Sequence, residues 1–496
     1  MTTPAQATDS AANPATPSLR DQVRSAVIWR SGSQIVGQLI TWTSTFLVIR
    51  ILSPSDYGLY AMTSVLLVLL NLVNGYSLAN AVIQKREVTP YLMRQLFGML
   101  VALNLTLAAI QWMAAPWVAK YYGQALLADM LRVQALIYLT NPFLAMGYAV
   151  LSREMDFRKQ AQVNLASGIV AALAALAGAL AGLGVWTLVV APIAGFTTRA
   201  FGNMFMARIF VLPTFNFTGA WSLARYGGIV TIGEFFWFLQ TQADIAIGGR
   251  MFEPHELGIY TTALFLTQMF VTKFVPPINE VAFSAYSRMQ DDREAMSNGF
   301  LKSVRLIMLA GIPFCLGLSA SSEAIVEVVL GEKWIETVPV IAILGLAMPF
   351  MCLHVLYGPA VSAAGRPGID SAIRIVGAFI LPLAFWVGIH WGVKGLAAAW
   401  VVSYPVLVVL GSIWALPVLG VKPRELIEAV SAPVMAGIAM YLVVEIVAIT
   451  LPHAFPPIVR LSLLVSAGGI AYGGYLWLFG RDRIMELVNL VRKKAA

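Results

Sequence analysis

Glu234, Asp244 and Lys273 are charged side chains that stand inside long apolar stretches of this sequence. A charge near the middle of a membrane-spanning helix costs at least about 2.5–3.5 kcal/mol, so it faces a cavity, an opposite charge or an ion path. Glu234, Trp237, Thr241, Asp244 and Gly248 recur in steps of three and four, which puts them on one helix face. Glu234 and Asp244 are candidates for ion coupling. The competing role for each is a structural ion pair with a neighbouring helix. Lys273 belongs to a second polar set, Gln268, Thr272, Lys273, Asn279 and Glu280, arranged around Pro276-Pro277, where a kink is expected. Lys273 either neutralises Asp244 or Glu234 or binds an anionic substrate, and the two roles can coexist.

A third polar set carries no carboxylate. Ser31, Gln34, Gln38, Thr41 and Thr45 follow the same three-and-four spacing and form a stripe along one helix. Such a stripe lines a wet cavity or supplies hydrogen bonds between helices. Arg30 sits at its start and suits phosphate capture, because a guanidinium binds phosphate oxygens in pairs. The candidate substrate-binding residues are therefore Arg30, Gln34, Gln38, Thr41, Trp237, Lys273 and Gln268. Arg50 and Arg250 lie at helix ends, where snorkelling to the interface accounts for them.

Nothing forms a catalytic set. His255, His354, His390 and His453 are dispersed, no nucleotide-binding loop is present, and Cys315 and Cys352 read as small packing residues. No cofactor, no metal and no enzymatic activity are expected.

The elements that position these residues follow from composition. The chain is 59% hydrophobic and 12% charged, against roughly 45–50% and 25% in soluble domains. Apolar runs of about 20 residues are spanning helices. The fold class expected is all-α, a polytopic membrane protein. Helices are expected at about 26–50, 57–83, 92–115, 130–151, 162–182, 185–207, 224–250, 257–284, 300–320, 337–360, 371–390, 394–417, 427–450 and 458–479. Residues 1–20, rich in Ala, Thr, Ser and Pro, read as a disordered tail. With the N-terminus inside, 25 of the 33 Lys and Arg fall on the inner side and 7 on the outer, with Lys273 within a helix. Both termini are therefore expected in the cytoplasm. The net charge of +8 reflects this asymmetry and not nucleic-acid binding.

One turn occurs twice. Arg50, Pro54, Gly58 and Tyr60 return as Arg250, Pro254, Gly258 and Tyr260 at a constant offset of 200. Gly184-Val185 to Leu188 is echoed by Gly392-Val393 to Leu396 at an offset of 208. These repeats predict two parallel six-helix lobes, residues 21–212 and 213–420, with two further helices and a basic tail in 421–496.

The turn Leu52-Ser53-Pro54-Ser55-Asp56-Tyr57-Gly58-Leu59-Tyr60 and its echo Leu257-Gly258-Ile259-Tyr260 resemble the repeated turn of Wzx-type polysaccharide flippases. These belong to the multidrug/oligosaccharidyl-lipid/polysaccharide exporter superfamily. Asp244 to Arg250, Phe283 to Asp292 and Glu327 to Trp334 resemble its WzxC-like branch, and the likeness covers about residues 20–420. The resemblance implies a two-lobed bundle with a central cavity. It implies alternating access that carries an undecaprenyl-pyrophosphate-linked oligosaccharide across a bacterial inner membrane, for exopolysaccharide or lipopolysaccharide biosynthesis, with an ion-gradient drive. The partners implied are that lipid-linked substrate, membrane lipids, and a polymerase with other glycan-assembly proteins. One departure concerns the family's acidic turn residue, which is split here between Asp56 and the pair Glu253 and Glu256, so the turns receive no substrate role. A cation-coupled multidrug exporter of the same superfamily is the alternative; it prefers an acidic cavity, which Arg30 and Lys273 oppose. A membrane polymerase or ligase would need a large catalytic outer loop, and a scaffold would have no use for buried charge.

Overall fold

The computed structural model describes residues 36–75, 78, 88–218, 221–452 and 454–480, with side chains described throughout except in 221–232. Every long element among them is a helix. We number these α1 (Val36–Ile51), α2 (Pro54–Asn71), α3 (Pro90–Tyr122), α4 (Leu126–Arg153, interrupted at Ala135), α5 (Phe157–Leu180) and α6 (Trp186–Ala207). The second half comprises α7 (Trp221–Met251), α8 (254–288), α9 (Arg293–Ala320), α10 (Val338–Ala363), α11 (Pro367–Gly388) and α12 (Gly392–Leu419). Two further helices follow, α13 (Pro423–Thr450) and α14 (Pro457–Phe479). Eight stretches among the described residues are long and apolar enough to cross a membrane, one of them running through both α11 and α12.

Several helices begin earlier than the apolar runs suggest. α2, α3, α8, α11, α13 and α14 each start on a proline. Proline is pre-shaped for the first helical position, where its missing N–H would have no intrahelical partner. Ser53 and Thr89 cap α2 and α3 by accepting from backbone N–H groups of the first turn. The second helix, expected to reach about 83, ends at Asn71; the chain then turns to Gly75, whose φ of +93° suits glycine. The kink expected at Pro276-Pro277 falls just before them, at Phe274, and a second break lies at Gln268. α8 breaks at Gln268 and Phe274 into Pro254–Thr267, Met269–Lys273 and Val275–Arg288, and Pro276 sits harmlessly in the first turn of the last piece. Between α9 and α10 the stretch 322–337 forms a helical turn, a π-helix (Val326–Leu330) and a 3₁₀-helix (Glu332–Thr337).

α4 and α5 pack on α6 in the first half of the chain, α10 and α11 on α12 and α11 on α7 in the second, α2 packs on α8 between the halves, and α13 and α14 pack beside α9; we refer to the two halves, α1–α6 and α7–α12, as the first and second lobes. The lobes meet where the repeated turn meets its own copy. A Cβ on Gly58 would lie 1.8 Å from the Pro254 carbonyl oxygen, and a Cβ on Gly258 would lie 1.7 Å from that of Pro54. The two helix starts therefore cross backbone to backbone, each glycine under the other copy's proline. A reciprocal contact of this kind is what a two-fold relation between parallel repeats produces. The acids of the motif serve the helix starts. Ser53 N–H donates to Asp56 Oδ2 at 2.9 Å, and Glu253 N–H donates to Glu256 Oε2 at 3.3 Å.

The stretch 322–337 adds three hydrogen bonds between the lobes at this end of the bundle, the turn face. Trp334 Nε1 donates to Ile49 O at 2.9 Å, Lys333 Nζ to Ile51 O at 3.1 Å, and Arg50 Nη2 to Glu327 O at 3.2 Å. The last turn of α1 has carbonyls without intrahelical partners, and Trp334 and Lys333 supply donors to two of them, while Arg50 of α1 donates in the opposite direction. Tyr57 packs edge-on against the Trp334 ring at 5.5 Å. At the far end of α3 the link between the lobes is pinned by Gln95, which donates to the carbonyls of Asn216 and Thr218.

Candidate functional site

The polar stripe of α1 faces a cavity inside the first lobe. This cavity measures about 800 Å³, and Gln38, Thr41, Ser44 and Thr45 form one wall. α1 is held against α5 by Ser44, whose hydroxyl donates to Ala172 O at 3.1 Å. α5 contributes Gln160, Asn164 and Ser167, with Gly168, Ala171, Ala172 and Ala175 leaving room between them. Tyr148 and Ser152 of α4, and Tyr57 and Tyr60 of the repeated turn, complete the polar lining.

The fourth wall is α6. Thr187, Ala191, Gly195, Arg199 and Asn203 all line the cavity, and they follow one another at steps of four. That spacing places them on one face of the helix. Arg199 is the only charged residue among the described lining residues. Sequence reasoning missed this wall. Arg199 was absorbed into the count of basic residues at inner helix ends, whereas its steps of four to Gly195 and Asn203 were the usable signal.

The equivalent place in the second lobe is filled. At the offset of 208, Pro192 corresponds to Trp400, Gly195 to Ser403 and Phe196 to Tyr404. Trp400 and Tyr404 are fully buried and stack on each other at 5.3 Å, so large rings fill what is space in the first lobe. Asp244 lies in this filled interior at 0% exposure. Its Oδ2 accepts from Tyr260 Oη at 2.7 Å, its Oδ1 accepts from Ile245 N–H at 2.8 Å, and Trp400 Nε1 donates in turn to Tyr260 Oη at 2.7 Å. Tyr260 is the tyrosine of the repeated motif. At the offset of 200 the pair Asp244–Tyr260 corresponds to Ser44 and Tyr60, both of which line the first-lobe cavity. His354 packs edge-on against Tyr404, and His354 Nδ1, Tyr404 Oη and Ser403 Oγ are buried without a hydrogen-bond partner. This polar interior therefore has unused donors and acceptors around a carboxylate that has no cation partner among the described residues.

Glu234 has such a partner. Arg374 of α11 places Nη1 3.6 Å from Glu234 Oε1 and Nε 2.9 Å from Asp370 Oδ2, and its guanidinium lies 5.5 Å from the Trp237 ring centroid. Glu234 and Trp237 thus belong to one ion-pair cluster, away from the first-lobe cavity. Lys273 is exposed, and no hydrogen bond or ion pair reaches it among the described residues. Neutralising Asp244 or Glu234 is accordingly not its role in this conformation: Tyr260 and Ile245 hold the first, Arg374 the second. Lys273 instead neighbours Phe274, whose ring lies 6.5 Å from Trp42 of α1, at the seam between the lobes. Gln268 stands at the first break of α8 and is half-buried. Arg30 and Gln34 lie outside the described residues. Arg250 lies over the Tyr121 ring at 5.9 Å, and Cys315 and Cys352 are buried free thiols.

Comparison with known proteins gives this geometry a context. A family model described as "Polysaccharide biosynthesis protein" matches residues 47–339, more than half of the chain. The chain belongs to that family. It is 22% identical over 380 residues to the lipopolysaccharide biosynthesis protein WzxC of Escherichia coli (strain K12), covering 75% of this chain and 76% of that one. It is 22% identical over 470 residues to the teichuronic acid biosynthesis protein TuaB of Bacillus subtilis (strain 168), covering 92% and 95%. It is 23% identical over 452 residues to the succinoglycan biosynthesis transport protein ExoT of Rhizobium meliloti (strain 1021), covering 90% of each. Its fold is that of the lipid II flippase MurJ in an inward closed conformation, with a TM-score of 0.73 at 12% identity over 92% of this chain and all of that one. An inward-facing multidrug resistance MATE transporter shares the fold at a TM-score of 0.62 and 11% identity, over 80% and 98% of the two chains.

Proposed function

We propose that this multi-pass membrane protein is a flippase that moves lipid-linked oligosaccharide units across the bacterial inner membrane for polysaccharide biosynthesis, by alternating access between its two lobes. The observation that carries this reading is a hydroxyl- and amide-lined cavity of about 800 Å³ inside a member of the polysaccharide biosynthesis family. Side chains of that kind match sugar hydroxyls, and the volume suits a ligand larger than a single small metabolite. Relatives named for lipopolysaccharide, teichuronic acid and succinoglycan biosynthesis, and a structural neighbour named as a flippase of a lipid-linked precursor, support the same substrate class.

In this scheme both termini are cytoplasmic and the turn face is outer, as the Lys and Arg asymmetry implies. Gln38 and Thr41 contact the glycan in the first lobe. Lys273, beside the seam, and Arg30 meet the pyrophosphate, while the polyprenyl tail stays in lipid. Asp244 takes up the coupling ion, and Glu234 acts through Arg374. The multidrug alternative is disfavoured by the lining itself, because a site for organic cations needs carboxylates and the described lining has none.

The test is translocation of a fluorescent undecaprenyl-pyrophosphate oligosaccharide in proteoliposomes. Lys273→Ala and, separately, Arg30→Ala should abolish movement while the protein inserts normally. Wild-type rates in both variants would remove the cationic entry assignment, and saturable export of organic cations in place of the glycolipid would overturn the reading as a whole.

A further inference from the structure

We infer that Arg199 makes the first-lobe cavity selective for a glycan bearing a singly charged anionic substituent, such as a sugar carboxylate. The inference rests on the glycan-flippase reading and adds the chemical class of glycan.

Arg199 Nε is buried without a hydrogen-bond partner. No Asp or Glu is among the described residues lining the cavity, so no internal counter-charge is supplied there. Two residues of the same α6 face repeat the pattern. Thr187 Oγ1 and Asn203 Oδ1 are buried and unpartnered, in side chains only 1% and 2% exposed. Arg199 as a whole is half-buried, and a buried polar atom left without a partner is costly. Such a set is stable when its missing partner is a ligand that comes and goes.

The duplication argues that the fold itself does not need these groups. At the offset of 208, Arg199 corresponds to Leu407 and Asn203 to Gly411, and Leu407 is buried in the apolar core at 1% exposure. The same helix position in the other lobe is thus occupied by an ordinary core leucine. A cation and an amide at the equivalent places in the first lobe serve the cavity they face.

The number of charges selects the ligand. One guanidinium offers a planar pair of donors that fits one carboxylate, whereas a diphosphate carries more charge than one arginine balances. The surrounding Gln160, Asn164 and Ser152 provide amides and a hydroxyl for the hydroxyls of a sugar ring. Gly195, one turn before Arg199, would place a Cβ 2.9 Å from the Ala171 Cβ, so α5 and α6 already touch at that level. The cationic end of the cavity therefore lies on the Asn203 side of this contact, toward Ser152 and Gln160.

The experiment uses the full chain in lipid nanodiscs and three probes: a disaccharide ending in glucuronate, the same disaccharide with its carboxyl reduced to the alcohol, and inorganic pyrophosphate. Calorimetry should show the uronate binding roughly 10- to 100-fold more tightly than its reduced form, the effect of one hydrogen-bonded charge pair. Arg199→Gln and Arg199→Leu, the second being the residue the other lobe carries, should bring the uronate down to the level of the reduced sugar. Arg199→Lys should retain part of the preference. Equal binding of the two sugars by the wild-type protein would overturn the inference. So would a preference that survives in Arg199→Leu, displacement of the uronate by an equal concentration of pyrophosphate, or no binding of either sugar to protein with a normal melting transition. Translocation of a neutral lipid-linked oligosaccharide by the wild-type protein separates the two levels. If it proceeds while the uronate preference is absent, the flippase reading stands and the assignment to Arg199 falls; if no lipid-linked glycan moves at all, the flippase reading itself fails.

Discussion

Replacing Gly258 with alanine should loosen the turn face. The new Cβ would lie 1.7 Å from the Pro54 carbonyl oxygen, and real Cβ atoms essentially never come closer than 3.0 Å to such an atom. The obstacle is backbone at a helix start, so no rotamer change can relieve it. α8 must move away from α2 by about 1.3 Å, and because each belongs to a packed lobe the lobes separate with them. Overpacking of this size costs about 1–3 kcal/mol. The cost falls on the closed arrangement alone, so the ratio of closed to open molecules should drop roughly 5- to 150-fold. Spin labels on Leu183→Cys and Trp391→Cys would report it, since both positions are exposed and lie at the turn face of different lobes. The native Cys315 and Cys352 are fully buried and should not compete for label. Gly469→Ala in α14 is the control, because nothing lies within 4 Å of where its Cβ would be. Pulsed electron resonance should show a longer or broader distance distribution for Gly258→Ala only. A distribution identical to wild type and control would refute the view that the glycine crossing holds this face shut.

Two further expectations concern the groups around that crossing. Asp244→Asn keeps the shape of the side chain and its acceptor toward Tyr260 but removes the charge; transport should lose its dependence on an imposed ion gradient, and unaltered gradient dependence would make Asp244 structural. Trp334→Phe deletes the bond to Ile49 O while keeping an aromatic ring against Tyr57, so it should remove about 0.5–1.5 kcal/mol from the closed face; the same spin labels should move in the direction of Gly258→Ala by a smaller amount, and no movement would show that the three carbonyl-directed bonds are incidental.

How far the sequence could be read depended on how far apart the interacting residues stand in the chain. Helices and their order were legible because hydropathy is a property of one dimension. The polar face of α1 was legible for the same reason: Gln38, Thr41 and Thr45 keep helical spacing, and they line one wall. What Gly58 and Gly258 do was not legible. Read singly, each is a glycine that suits a tight turn; only in the folded chain does each copy's proline become the neighbour of the other copy's glycine, 200 residues away. Lys273 could not be placed from the sequence for a related reason. Its expense in a membrane is a local property, but the partners that exclude it from Asp244 and Glu234 are Tyr260 and Arg374, and the latter is a hundred residues downstream.

The repeated motif then acquires a second meaning beyond the turn it builds. Both copies present a tyrosine to the interior of their own lobe, Tyr60 to an open cavity and Tyr260 to a buried carboxylate. The backbone frame is shared, and the difference lies in a few side chains: Pro192, Gly195 and Arg199 on one side, Trp400, Ser403 and Leu407 on the other. A duplicated bundle with identical lobes would have two equivalent chambers and no reason to prefer one for substrate and one for charge. Proline and glycine leave the first interior open while tryptophan and tyrosine fill the second, and on the proposed reading this would separate the two tasks. Because Gly58 and Gly258 lock the lobes together at the turn face, a change of charge at Asp244 acts on Tyr260, sixteen residues along and two past Gly258. On the flippase reading proposed above, an ion taken up at Asp244 would reach the crossing of Gly58 and Gly258 through Tyr260, two residues along the chain from Gly258.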